Sequence, residues 1–321
     1  MPEAIGIGCR GLSGKLQSAL YDFGVEDSFR LAVYRLNVHY GFTLSAERIR
    51  STTLKVAKGV AENLGAREPV RKLPAEGTEA IAAQCDGSMV RLVVTGTNGD
   101  KRKHRKLDWK EARLCAASAN GSATIHYEGL IGDVHETGEV WSHAVYRSGW
   151  GINTYVQPMG DGAVWIEEQA NVCFPGSTFV LDLYHVCEYL DAAAHSCAHR
   201  EKPKRWLRRQ KNKLLKGRKD QLIAELATKS EPDHMPDELA PVRTAHRYLA
   251  AREYQLNYPE AQRRGLPVGT GMIESAHKQI IQKRLKGPGM AWLSQNADAL
   301  IKARAQRATD IQNPKSQKMA A

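Results

Sequence analysis

Between Ile81 and Leu181 the chain spells out an order of elements, and that order limits the fold more than any other feature of the sequence. Ile81 to Val94 has the β-branched and apolar content of a strand, and Asn98-Gly99-Asp100 marks the turn after it. A basic loop from Lys101 to Lys106 leads to a second strand near Glu111 to Ser118. Asn120-Gly121 is a hairpin signal, followed by a third strand from Thr124 to Ile131. An amphipathic helix from His135 to Arg147 comes next, carrying Val140, Trp141, Ala144 and Val145 on its apolar side. A strand from Ile152 to Met159, a helix from Ala163 to Val172 and a short strand from Thr178 to Leu181 complete the series. Three strands, a helix, a strand, a helix and another strand spell a mixed α/β order.

The flanks read as helical. Residues 1 to 24 are weakly patterned, after which a helix is expected from Glu26 to Tyr40, ended by Gly41. Thr43 or Ser45 caps a second helix reaching about Leu64, in which Ile49, Leu54, Val56 and Val60 alternate with Arg48, Arg50, Lys55 and Lys58. Such a pair fits either a helix-turn-helix-like DNA reader or an ordinary helical hairpin. Pro69, Pro74 and Gly77 make Ala66 to Glu79 a linker. A helix from Tyr184 to His199 and polar helical sequence to about Pro259 form an insertion, and residues 291 to 308 form a last helix. The expected divisions are an N-terminal helical region at 1–65, a linker at 66–79, a core at 80–186, a basic helical insertion at 187–264, C-terminal core helices at 265–308, and a disordered tail at 309–321.

Charge narrows the partners. The 321 residues hold 46 Lys and Arg against 35 Asp and Glu, a formal charge of +11, and such a field attracts polyanions. Eleven of those cations fall between Arg200 and Lys219 with one acid, Glu201, and Trp206 is embedded among them. Arg200, Lys202, Lys204, Arg205, Arg208, Arg209, Lys211 and Lys213 are therefore candidates for phosphate-backbone contact, as are Lys278, Lys283 and Arg284. The six cysteines lie far apart with no Cys-x-x-Cys pair, which suits a reduced, cytoplasmic protein. No apolar stretch approaches the length of a membrane span. His195 and His199 have helical i,i+4 spacing, but Cys187 and Cys197 are two residues from the nearest His and turn to another face, which argues against zinc.

Acids supply the chemistry. Gly269-Thr270-Gly271 precedes a basic amphipathic helix, with Thr270 as N-cap, and puts Glu274 on the same face as Ile281 and Leu285. A half-buried Glu274 needs a partner, either Lys278 four residues on or a metal shared with other acids. Asp86 in the first strand and Asp161 at the end of the fourth are the other two; Asp182 ends the fifth strand. In an open sheet chemistry gathers where strands end. The order Asp86, Asp161, Glu274 is what a ribonuclease-H-like fold needs to bring three carboxylates over the middle of its sheet. Clustered anions repel unless divalent cations neutralise them, and two Mg²⁺ ions, replaceable by Mn²⁺, would serve in-line phosphodiester displacement.

The segments Cys85-Asp86-Gly87-Ser88-Met89, Gly160-Asp161-Gly162-Ala163-Val164-Trp165-Ile166, Leu181-Asp182-Leu183-Tyr184-His185-Val186 and Gly269 through Trp292 resemble the motif blocks of bacterial insertion-sequence transposases of the Kra group. These are similar to Mutator-type DDE enzymes. The resemblance runs from about residue 27 to 305 and implies a ribonuclease-H-like catalytic domain with a helical insertion. It carries the metal-binding triad onto Asp86, Asp161 and Glu274, and implies that Asp182 and His185 orient the triad or the scissile strand, with Asp182 a rival to Asp161 as metal ligand. It further implies metal-dependent cleavage and transfer of double-stranded transposon ends into target DNA by a homo-oligomer. Relatives are often longer at the N-terminus, so part of the terminal-repeat recognition is expected to be absent. A DNA-binding derivative without catalysis, or a nuclease without strand transfer, would share the same surfaces.

Overall fold

The computed structural model describes residues 7–8, 12–95, 105–197 and 202–312. Its centre is a five-stranded mixed sheet made of β1 (Ala80–Thr95), β2 (Arg105–Ala119), β3 (His126–Leu130), β4 (Tyr155–Gly160) and β5 (Val180–Leu181). The spatial order is β3-β2-β1-β4-β5. β1 pairs antiparallel with β2 and parallel with β4, β2 is antiparallel to β3, and β4 is parallel to β5. This is the mixed α/β, ribonuclease-H-like arrangement. β2 starts at Arg105, so Arg105 and Lys106 belong to the strand and not to the loop expected from their charge. The turn read at Asn98-Gly99-Asp100 lies outside the described residues.

Strand alternation sorts β1 onto two helical layers. Ile81, Ala83 and Cys85 face α4 (Val134–Arg147) and α5 (Val164–Cys173), in a core with Trp141, Ala144, Val145, Ile166 and Ala170. Trp141 is fully buried and meets Phe174 edge to face, and burying such a side chain stabilises the fold by about 3 kcal/mol. Asp133 opens α4 with a capping box to Glu136. Val90 and Leu92 face the other way, packing with Ala112 and Leu114 of β2 against Ile273, Ile280, Ile281 and Leu285.

Those last residues belong to a helical run with a break in its period. α11 (Gly271–Ala276) passes into a π-helical turn over His277–Gln282 and ends as α12 (Lys283–Leu285). A π-turn carries more residues than an α-turn and leaves i→i−4 carbonyls without their partners. Arg304 of α13 (Ser294–Gln312) takes them: its Nε donates to Ile280 O at 2.7 Å and its Nη2 to Gln279 O at 2.5 Å. The wider turn rotates Glu274 away from the side that holds Ile281 and Leu285. Glu274 is thus exposed, not half-buried as a regular helix would make it. α13 continues through Gln312, past the Asp310 at which order was expected to end.

Among the described residues the N-terminal region holds three helices where two were expected: α1 (Gly14–Glu26), α2 (Phe29–Tyr40) and α3 (Ala46–Gly65). Ser13, Ser28 and Ser45 cap them through their hydroxyls. Gly24 sits inside α1 because Thr53 of α3 crosses there, and a Cβ would meet Thr53 Oγ1 at 2.0 Å. The segment from Ala66 to Glu79 has no helix or strand but is fastened along its length. Arg67 binds Glu128 at 2.8 and 3.0 Å, and Thr78 N donates to Gly149 O at 2.8 Å.

After α6 (Leu183–Cys197) come α7 (Pro203–Leu215), α8 (Lys219–Lys229), α9 (Pro241–Ala251) and α10 (Tyr258–Arg263), which share one core with Met159, Leu181 and Val186. Glu225 is its polar hub. It accepts from Trp206 Nε1 at 3.0 Å, Gln210 Nε2 at 3.1 Å, Lys213 Nζ at 2.7 Å and Lys229 Nζ at 3.0 Å. Burial opposes ionisation here, yet the bonds from Lys213, Trp206 and Lys229 hold Glu225 down to about 2.

Candidate functional site

Register places the aspartates. The last recorded pair of β1 and β4 is Gln84↔Met159, so two residues further on Asp86 stands beside Asp161. The last pair of β4 and β5 is Gly160↔Leu181, so Asp161 in turn stands beside Asp182. Three aspartates therefore stand side by side across adjacent strands, Asp86 within β1 and Asp161 and Asp182 just past the ends of β4 and β5, their backbones about 5 Å apart by strand spacing. Glu274 reaches this edge from α11, whose start is sewn to β1. Gln84 Nε2 donates to Gly269 O at 3.1 Å and Gln84 Oε1 accepts from Ile273 N at 3.0 Å.

Asp86 is the electrostatic centre of the group. Its Oδ1 accepts from the Gly87 amide at 2.7 Å. Burial, joined by the carboxylates of Asp161, Glu111 and Glu274, pushes it up to about 7 against the pull of that amide. His277, the first residue of the π-turn, holds Nε2 at 3.2 Å from Asp86 O and 3.5 Å from Asp86 Oδ2. Its burial pulls the imidazole down to about 4. A neutral ring facing two acceptors carries its proton on Nε2, which leaves the buried Nδ1 without a partner. Lys286 hydrogen-bonds Ser88, two residues beyond Asp86, and burial lowers its ammonium below the usual lysine range.

The other acids divide into open and closed. Asp161 Oδ1 accepts from Ala163 N at 2.9 Å, and Tyr248 of α9 donates its hydroxyl to Asp161 O at 2.9 Å. Gly162, at φ +90, completes the turn under Tyr248. Asp182 is buried with both oxygens engaged: Oδ1 accepts from Tyr184 N at 3.0 Å and Thr270 N at 3.2 Å, and Oδ2 from Thr270 Oγ1 at 2.9 Å. Thr270 thus spends its hydroxyl on Asp182 rather than on capping α11. A carboxylate so occupied braces the Glu274 segment against β5. His185 lies one α6 turn on, its Nδ1 3.2 Å from Glu188 and its ring edge-on to Tyr189 and Tyr248. Glu274 is ion-paired with Lys278 at 3.9 Å, and its side chain is 52% exposed.

Asp86, Asp161 and Glu274 fit a hard divalent cation in the kind of donor they offer; burial does most to raise Asp86, and the lesser share that comes from the neighbouring carboxylates is what such a cation relieves. Among the described residues no three His, Cys, Asp or Glu side chains stand close enough to grip an ion as they are placed. The set is therefore an open one, with Glu274 its exposed member.

The basic candidates also divide. Lys202, Lys204, Arg205, Arg208 and Arg209 are exposed on or beside α7. Lys211 lies 4.8 Å over the Tyr184 ring, and Lys213 is held by Glu225. Trp206 is fully buried and takes no part in a surface. Arg284 corrects the sequence reading outright. It is 1% exposed, donates to Gly24 O at 3.2 and 3.1 Å, and is stacked between Phe29 and Trp292, so it cannot reach a DNA backbone. Lys278 is exposed, and Lys283 pairs with Glu26 at 3.5 Å. Arg200 lies outside the described residues.

Sequence reasoning passed over His277, Gln84, Glu111 and Tyr248. His277 was within reach, being three residues after Glu274 on the same helix; Tyr248 carries no local signal, since it meets Asp161 only through the packing of α9.

The sequence pattern of the uncharacterised protein family UPF0236 matches residues 11–319. No curated protein matches the chain. Among solved structures, the crystal structure of NurA is aligned over 86% of this chain at 12% identity, with a TM-score of 0.15. The chain spans 65% of the length of that one. Among the described residues no helix is long and apolar enough to cross a membrane.

Proposed function

We propose, starting from a chain that belongs to the uncharacterised protein family UPF0236, that it is a DDE-type transposase of the insertion-sequence kind, cutting and joining DNA strands. The observation that carries this reading is the parallel register that sets Asp86 beside Asp161, with Glu274 near enough to load the Asp86 carboxyl. Asp86, Asp161 and Glu274 would hold two Mg²⁺ ions, Mn²⁺ being an allowed substitute, whose charge supports in-line displacement at a phosphodiester. His277 fixes the Asp86 backbone and carboxylate, Tyr248 fixes the Asp161 turn, and Asp182 fixes the approach of α11. His185 backs Tyr248 from α6. Lys202, Lys204, Arg205, Arg208 and Arg209 offer phosphate contacts along α7, with Lys278 beside Glu274. Neutralising several phosphates makes binding fall steeply with salt.

A duplex carrying the inverted repeats that flank the reading frame tests the reading. Nicking at the repeat boundary in Mg²⁺, and joining of the freed 3′ end to a second duplex by an assembled homo-oligomer, are the expected outcomes. Loss of both in Asp86→Asn with duplex binding retained completes the expectation; cleavage that persists in that variant rejects the triad. The separation of the acids favours a second reading, a DNA-binding derivative without catalysis, and this predicts binding with no cleavage in any divalent metal.

A further inference from the structure

The face of β1 that carries Asp86 also carries Gln84 and Ala82, since side chains two apart in a strand point the same way. Four residues separate Ala82 from Asp86, about 13 Å by strand rise. Ala82, paired with Ser118 of β2, lines a cavity of about 500 Å³, a size usual for small-molecule sites. One wall is apolar, made by Leu266, Val268 and Met272 from the segment that leads into α11. Another is polar, made by Ser118, Asn120 and Ser122 at the β2–β3 turn. Gln84 stands at the end nearer the acids, its amide bound to Gly269 O and Ile273 N.

Among the described residues no charged side chain lines this cavity, so what enters it is neutral where it is enclosed. The charge lies outside. Tyr184 forms part of the lining and is 57% exposed, and Lys211 of α7 lies 4.8 Å over its ring. Lys204, Arg208 and Lys211 follow at i, i+4 and i+7 on one stripe of α7, a helix that contains no acid. A row of cations therefore ends at the mouth of an uncharged cavity. A nucleotide of an unpaired strand matches both halves, with a neutral planar base and an anionic phosphate behind it. Enzymes that take a base out of a duplex hold it between apolar side chains and read its edge with polar ones. A closed duplex offers this cavity nothing, because its bases are turned against one another.

We infer that the cavity receives one unpaired nucleobase of the DNA strand that lies on the carboxylates, with Lys211, Arg208 and Lys204 following the phosphates away from it. The identity of that strand rests on the DNA-cutting reading above.

The test uses the full chain in EDTA with two labelled strands of equal length, oligo(dT) and a strand of abasic sugars carrying the same phosphates, alongside a blunt duplex. Fluorescence anisotropy should show oligo(dT) bound about tenfold more tightly than the abasic strand. Ser122→Trp fills the cavity from its exposed rim, and Tyr184→Ala removes its mouth. Each should abolish the preference and leave the abasic strand and the duplex within twofold of the parent. Arg208→Glu should weaken both strands alike and keep the preference. Equal affinities in the parent, absence of strand binding, or a preference that survives in either folded variant would overturn the inference. Melting curves identify a variant that has lost its fold, and the other variant then decides. Binding is read without cleavage, so a triad that proves inactive leaves the result standing, while cleavage without a preference for bases overturns this inference alone.

Discussion

His277 Nε2 stands 3.2 Å from the carbonyl oxygen of Asp86 and 3.5 Å from its carboxylate, linking the π-turn to the first strand at Asp86. The ring is 3% exposed, so its removal opens a cavity as well as freeing Asp86. His277→Ala should destabilise the protein by about 2–3 kcal/mol and reduce metal-dependent cleavage at least tenfold. His277→Gln, which retains a donor, should recover more activity than stability. Urea melts and single-turnover cleavage of the same preparations check the split.

Asp86 carries an energetic cost when ionised. Its folded pKa, about 7, lies above the ordinary carboxylate value, so the penalty is fully present above pH 7 and disappears as pH falls toward 4. In EDTA at pH 8, Asp86→Asn should be more stable than the parent by about 1 kcal/mol, after discounting for a side chain one-third exposed. At pH 4.5 the two should coincide. Calorimetric melting at both pH values measures it, and a less stable Asp86→Asn at pH 8 would contradict the burial of Asp86 beside other carboxylates as the source of the cost.

Glu225 behaves in the opposite sense. Its folded pKa is held near 2, below the unfolded value, so it stabilises the insertion above about pH 4.5 and this contribution is lost between there and pH 2. Glu225→Gln should cost about 2–3 kcal/mol at pH 7, because Lys213 and Lys229 lose their counter-charge and Trp206 Nε1 keeps only a neutral acceptor. The deficit relative to the parent should shrink in acid. Guanidinium titrations at several pH values follow it.

Arg284 and Arg208 separate a buried cation from a surface one. Arg284→Ala removes the donor to Gly24 O and the packing between Phe29 and Trp292, and should cost about 3 kcal/mol of stability. Burial and the nearby Arg304 already pull the Arg284 guanidinium down to about 10. Arg208→Glu, on an exposed face of α7, should leave stability within about 0.5 kcal/mol and flatten the dependence of duplex binding on salt. Filter binding across a salt series distinguishes the two effects.

Much of the fold was legible because it is written locally. The strand-like content of Ile81 to Val94, the Asn120-Gly121 turn and the amphipathic run from His135 to Arg147 each declare themselves within a few residues, and so do the strand ends that carry Asp161 and Asp182. What stayed hidden depends on distant partners. α1 was obscured by Gly24, which reads as a breaker but answers Thr53 across a helix crossing. Trp206 looked like part of a DNA-facing stripe until Glu225, from the next helix, drew its indole inward. Arg284 looked solvent-borne, like its neighbour Lys283, because nothing nearby shows that Gly24, Phe29 and Trp292 enclose it.

Arg304 is made thirty positions after Glu274, and the turn it props open decides which way that acid points. A polypeptide still on the ribosome, with both aspartates and Glu274 already translated, therefore lacks the wedge that aims the third carboxylate. For the strand cutting proposed above, the third carboxylate would take its place only once α13 has docked against the π-turn.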